Sequence, residues 1–409
     1  MKLSDLFGST LRKAPADAET VSYRWLARGG YIRRAKKGNF LTLPLATRAL
    51  NKLKTRLRYE LEAREGQEIG SHADIEQLAA GDVQSYRHLP KILFSYDEVT
   101  QEAHPRLGLF GAAHSPGINI HVLADSEETQ DNYKKVIAKM LDDFFGKLAI
   151  KAEETDQGGY AFITGKGGAD YVRCPQCAYL ARQKVAQRNK VALSPEDARD
   201  LEKVATPDAN TIDALASFLN IPKEKTAKAV FMMATMDGED KLVCAILRGD
   251  MALSEEKLTA ALAASGLRAA TDAEILAVGA APGYASPVKL KNALTVVDDL
   301  IPDSVNLAAG ANEEGYHFQN VNFGRDYKAD IVADIALAQE GDPCPKCNAK
   351  LAVIRGVPLV LASPAHAAEE ATYTDEQGKG QPIWLANWIL DLGRMFAAVA
   401  ESHHDDYGL

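Results

Sequence analysis

Residues 42–64, opening Thr42-Leu-Pro-Leu-Ala-Thr-Arg-Ala-Leu, carry apolar side chains at helical spacing with few breakers after Pro44, which predicts a long amphipathic helix. Residues 116–126 alternate apolar and polar side chains, as a half-buried strand does. Asp125 or Ser126 then supplies an N-cap for a helix reaching Phe145, with Glu127 and Glu128 favouring its first turn. The charged stretch 195–201 reads as a further helix. Near the other end, 384–404 predicts an apolar strand or helix followed by an amphipathic helix.

The middle of the chain has a different rhythm. Residues 211–219 predict a helix ended near Asn220-Ile-Pro, and 229–234 and 242–247 predict buried strands joined by a turn at Met236-Asp-Gly. Helical patterns at 255–264 and 272–278 precede strand-like runs at 294–298 and 305–311. The result is a mixed α/β domain without internal repeats.

Two Cys-x-x-Cys pairs, Cys174/Cys177 and Cys344/Cys347, bracket this middle region. Four thiols at that spacing suit one tetrahedral zinc, each pair giving two ligands from a tight turn. The middle then reads as an insertion that leaves one fold and returns to it. The division is a core at 1–187, an inserted domain at 188–336 and the rest of the core at 337–409. The fifth thiol, Cys244, lies in an apolar run and reads as a packing residue.

Five cysteines, four of them paired this way, suit a reducing compartment, and the expected location is cytoplasmic. No apolar run is long enough to span a membrane, and the N-terminus lacks a signal-peptide pattern. Net charge is −9, yet residues 1–70 alone carry +8 and the remainder −17. Arg33, Arg34, Lys36, Lys37 and the run Lys52, Lys54, Arg56, Arg58 are therefore candidates for phosphate contacts.

Several segments in order resemble bacterial-type prolyl-tRNA synthetases, members of class II. They are Leu26-Ala-Arg-Gly-Gly-Tyr-Ile-Arg, Gly38-Asn-Phe-Leu-Thr-Leu-Pro, Gln84-Ser-Tyr-Arg-His-Leu-Pro, Pro105-Arg-Leu-Gly-Leu and the closing stretch from Arg394. The insertion is similar to that family's editing domain and to the related free-standing YbaK-type deacylases. Its markers are Ile221-Pro-Lys-Glu-Lys-Thr-Ala-Lys, Leu247-Arg-Gly-Asp, Gly283-Tyr-Ala-Ser-Pro, and Ala308-Ala-Gly-Ala-Asn followed by His317. The resemblance implies an α+β fold: a class II antiparallel sheet with flanking helices, interrupted by a mixed α/β YbaK-like domain. It also implies tRNA of the proline type, held at its acceptor end, as partner, a homodimer through the core, and no membrane or DNA partner.

The core departs from the family pattern where adenylate chemistry needs cations on the ATP phosphates. Glu102 and Arg106 are kept, but Thr100 stands at the second-motif arginine, and Gly111-Ala-Ala-His-Ser lacks that loop's Arg and Glu. A Thr-His-Glu-Glu element aligns with Ser71-His72-Ala73-Asp74, and the Glu and His expected after Arg355-Gly356 are missing. Arg394, the third-motif arginine, remains, and with Glu102 and Arg106 it forms a vestigial synthetase site. ATP and magnesium are expected only if ligase activity survives.

The insertion retains the editing residues. By resemblance, Lys228 positions the aminoacyl-tRNA terminus, the backbone of the loop from Gly283 to Pro287 holds the ester carbonyl, and His317 helps select the amino acid. Asp298 and Arg248 match family positions near the substrate. The implied activity is deacylation in trans of mischarged tRNA, alanine on proline tRNA above all. A working proline–tRNA ligase and a tRNA-binding regulatory pseudo-synthetase are the alternatives.

Overall fold

The computed structural model describes residues 5–71 and 73–408, and the chain divides by its contacts into two compact units. The first comprises 1–171, 179–181 and 354–409; the second comprises 172–178 and 182–353. All four paired cysteines fall in the second unit, so contacts group 337–353 with the insertion and not with the core.

The first unit is built on a nine-stranded sheet. Lys91–Thr100, His114–Ala124, Gly380–Asp391, Ala352–Thr374, Tyr160–Ile163 and Ala152–Glu154 are successive antiparallel neighbours, and Gln67–Glu68 joins the edge in parallel. Helix Pro44–Glu62 starts with Pro at its first turn, where no N–H is needed, and buries Ala46, Leu50, Leu53, Leu57 and Leu61. Helix Glu127–Lys147 is capped by Ser126, whose hydroxyl accepts the Thr129 N–H, and buries Ile137, Met140, Leu141, Phe144 and Phe145. These stripes and the helix Leu392–Ser402 pack on one sheet face around Phe94, Ile118, Ile120 and Trp388. On the opposite face the helix Ile75–Asp82 covers Leu123, Leu385 and Ile383 with Ala79.

The second unit holds a five-stranded mixed sheet in the order Gly266–Ala269, Ala227–Met236, Glu239–Arg248, Leu294–Asp298, Ile331–Ala333. Apolar cores lie on both faces: Met232, Val243, Ala245 and Leu247 on one, Phe231, Cys244, Ile246 and Val297 on the other. Burial on both sides explains why residues 242–247 read as an uninterrupted apolar run. Asp237 and Gly238, both at positive φ (52° and 78°), make the tight turn of its hairpin. A three-stranded sheet, Glu202–Ala205, Tyr316–Val321 and Leu307–Gly310, completes the unit.

One expectation needs correction. Residues 195–201 form no helix. Asn306 donates to the Asp197 carbonyl and accepts the Arg199 N–H, and Asn320 donates to the Asp200 carbonyl, so side chains satisfy this backbone in an extended path. The apolar run from residue 384 is strand, Gly380–Asp391, and the helix begins only at Leu392, capped by Asp391.

Candidate active site

A cavity of about 310 Å³ opens in the second unit, lined by Asn210, Lys228, Phe231, Gly283, Ala285, Gly310 and His317 among others. Lys228 is the second residue of its strand, paired with Leu247, and is half-buried. Among the described residues its ammonium makes no ion pair or hydrogen bond. Burial lowers its pKa, against the more distant pull of Asp250. A half-desolvated cation without a hydrogen-bonded partner, set in a cavity wall, is a ready partner for an anionic or carbonyl group.

His317 is 4% exposed, the second residue of its strand, in register with Val204 on one side and Gly310 on the other. Its Nδ1 lies 2.6 Å from the Thr206 hydroxyl, and its ring packs 5.3 Å from that of Tyr284. Burial pushes its pKa down to about 4, so the imidazole is neutral at neutral pH. Gly283 takes φ +80°, a conformation glycine adopts freely, and a side chain there would press on Asn210 at 3.1 Å.

Three expected site residues do not line this cavity. Pro287 is buried in the turn behind the loop, its carbonyl accepting the Leu290 N–H. Asp298, expected near the substrate, is fully buried and lies 2.6 Å from Lys190, while its oxygens also accept the N–H groups of Leu300 and Ile335. It is a structural counter-ion because the Lys190 ammonium sits among Asp298, Asp299 and Asp334. Arg248 spends its fork on Asp250, at 2.6 and 2.7 Å, and its remaining donor on the Val191 carbonyl. The sequence assigned no role to Thr206, Asn210 and Gly310, although Gly310 falls within the Ala308-Ala-Gly-Ala-Asn marker and Ala285 within the 283–287 loop.

The aminoacyl-tRNA editing domain family matches residues 206–327, which contain the whole cavity. A proline–tRNA ligase of Dehalococcoides mccartyi is 35% identical across all of this chain and 81% of its own length. That of Salinispora tropica is 31% identical across all of this chain and 79% of its own. The chain belongs to the proline–tRNA ligase family. A solved structure described as a putative trans-editing enzyme for prolyl tRNA synthetase is 18% identical, covering 34% of this chain and 87% of its own, with a TM-score of 0.29. A likeness that slight carries no argument.

Arg394, 8% exposed, donates from Nε to the Phe110 carbonyl (3.3 Å) and from a terminal nitrogen to the Pro358 carbonyl (3.1 Å), with Asp391 at 3.4 Å. Leu107, Leu109 and Phe110 of the loop after the second motif are buried, and Phe110 stacks on Phe162 at 5.9 Å. Glu102 is exposed, Arg106 pairs with Glu19 at 2.9 Å, and Thr100 lies 3.5 Å from His114. His72 lies outside the described residues.

The basic runs of the N-terminal segment are partly engaged too. Arg33 donates to the carbonyls of Ala27, Ile32 and Ser9, and Arg58 pairs with Glu62 and Glu68.

The four paired cysteines converge. Cys174 Sγ lies 3.4 Å from Cys347 Sγ and Cys177 Sγ 3.7 Å from Cys344 Sγ, and all four sulfurs fall within 4.8 Å of one another. Zinc–sulfur bonds of about 2.3 Å put tetrahedral sulfurs about 3.8 Å apart, so the set fits such an ion. The N–H groups of Gln176 and Lys346 each point to a cysteine sulfur at 3.4 Å, Cys174 and Cys344 respectively, which favours thiolates. Cys244 is fully buried, and burial alone pushes its thiol up, as befits a packing residue. No described helix is long and apolar enough to cross a membrane.

Proposed function

We propose that this protein hydrolyses the ester of mischarged tRNA, alanine on proline-type tRNA being the substrate. The observation that carries the reading is the meeting of Lys228, the 283–287 loop and neutral His317 on one cavity of about 310 Å³. Water adds to the ester carbonyl, the carbonyl oxygen takes negative charge, and the bond to the ribose oxygen then breaks. That oxygen leaves with a proton, giving free amino acid and intact tRNA. Backbone N–H groups of the loop stabilise the oxyanion, and Lys228 anchors the tRNA terminus. His317, neutral and fixed by Thr206, shapes the pocket that receives the amino acid. Ala227, Ala229, Leu215 and Phe231 wall the pocket, and the proposed selection is by shape, a methyl group accepted and a larger ring refused.

A second reading, a proline–tRNA ligase, is favoured by the relatives, which carry that name. Against it stands the state of Arg394, which is 8% exposed and turns its Nε and one terminal nitrogen to the backbone carbonyls of Phe110 and Pro358. Proline-dependent pyrophosphate exchange separates the two, and release of alanine from alanyl-tRNA tests the first. Absence of both activities leaves the tRNA-binding pseudo-synthetase. Zinc on the four cysteines would be structural, since four protein thiolates fill its tetrahedron. A cytoplasmic location and pairing of two cores belong to the same reading.

A further inference from the structure

Asn312 follows the strand Leu307–Gly310 and hydrogen-bonds no cavity-lining residue, yet it makes three hydrogen bonds to the 284–288 stretch that carries the loop. Its backbone N–H donates to the Tyr284 carbonyl at 2.8 Å. Its side-chain Oδ1 accepts the Ser286 N–H at 2.9 Å, and its Nδ2 donates to the Val288 carbonyl at 2.9 Å. Its φ of 56° lies in the left-handed region, which asparagine tolerates better than most residues.

The clamp has a consequence for the loop's donors. The Tyr284 N–H is held by the Ala281 carbonyl at 2.9 Å, the Ser286 N–H by Asn312, and Pro287 has none. Among the described residues, the N–H groups of Gly283 and Ala285 are the two in the loop without an acceptor, and both residues line the cavity. Gly310 completes the arrangement. A Cβ there would sit 2.1 Å from the Tyr284 oxygen and 2.5 Å from the Ala285 nitrogen, so its bare backbone leaves room beside that donor.

We propose that Asn312 is a positioning residue that pins the loop so the Gly283 and Ala285 N–H groups meet the oxyanion. The proposal rests on the ester-hydrolysis reading for its catalytic part, while the clamp itself is testable without it. Two variants of the full chain serve. Asn312→Gly keeps the positive φ and the backbone bond but deletes the amide; Asn312→Asp keeps an acceptor for Ser286 and loses the donor to Val288. With alanyl-tRNA, Asn312→Gly lowers kcat at least tenfold with KM within about twofold, and Asn312→Asp falls between it and the parent. Amide exchange at Ser286 quickens at least tenfold in Asn312→Gly and stays near the parent rate in Asn312→Asp.

Unchanged kcat or unchanged Ser286 exchange in Asn312→Gly overturns the proposal. If that variant fails to fold, full parental kcat in Asn312→Asp overturns it. If the parent itself releases no alanine, the ester-hydrolysis reading fails, and the exchange comparison alone decides the clamp.

Discussion

Replacing Lys228 by methionine separates what this side chain does for substrate from what it does for the fold. The ammonium is half-buried, has no ion pair, and has its charged form disfavoured by burial. Methionine matches its stem without the charge, so the folded state loses a desolvation cost and gives up no internal partner. The melting midpoint of Lys228→Met is therefore expected at or above that of the parent. The substrate, by contrast, loses a charge-assisted hydrogen bond worth about 1.5–3 kcal/mol, a drop of about 10- to 150-fold in kcat/KM. Single-turnover release of labelled alanine from alanyl-tRNA, beside a thermal melt of each protein, reads both quantities. Parental kcat/KM in Lys228→Met refutes the anchoring role. Lost activity accompanied by a lowered midpoint refutes the claim that the charge is there for the ligand.

Further expectations concern the supporting structure. Lys190→Ala strands the fully buried Asp298 carboxylate and should cost about 3–5 kcal/mol in a denaturant titration, with part regained in Lys190→Ala/Asp298→Asn. Purified protein should carry about one zinc per chain by elemental analysis, and a mercurial that releases it should lower the midpoint while Cys244 stays unmodified in the folded state. His317 has its folded pKa depressed to about 4 from 6.5, so the unfolded chain binds the proton first. Its contribution is whole above pH 6.5 and is lost as pH falls toward 4. The amount is at most about 3 kcal/mol, and less because the cavity admits water. A His317→Gln variant should lose that slope between pH 6.5 and 4.

Periodicity was enough for elements whose burial follows their own spacing. The helix Pro44–Glu62 and the hairpin around Asp237-Gly238 are of this kind. It failed where partners come from far along the chain. The 23-residue strand Ala352–Thr374 carries Pro358 and breaks register with its neighbours there and after Ser363, so no simple alternation marks it. The segment 195–201 is held extended by Asn306 and Asn320, more than a hundred positions away. Motif order pointed to Lys228, Gly283 and His317, and all three line the cavity. Asp298 and Arg248 do not line it, because a charged residue in a motif does not announce its counter-ion, here Lys190 and Asp250. Arg394 was legible as a retained motif residue, whereas its capture by the Phe110 and Pro358 carbonyls depends on loop packing that sequence does not display.

The most direct measurement sets the full-length protein against two substrates on the same proline-type tRNA, one carrying alanine and one carrying proline. The expected result is rapid, protein-dependent release of alanine while the prolyl ester decays at the buffer rate. Alanyl-tRNA that survives as long with the protein as without it would contradict the account.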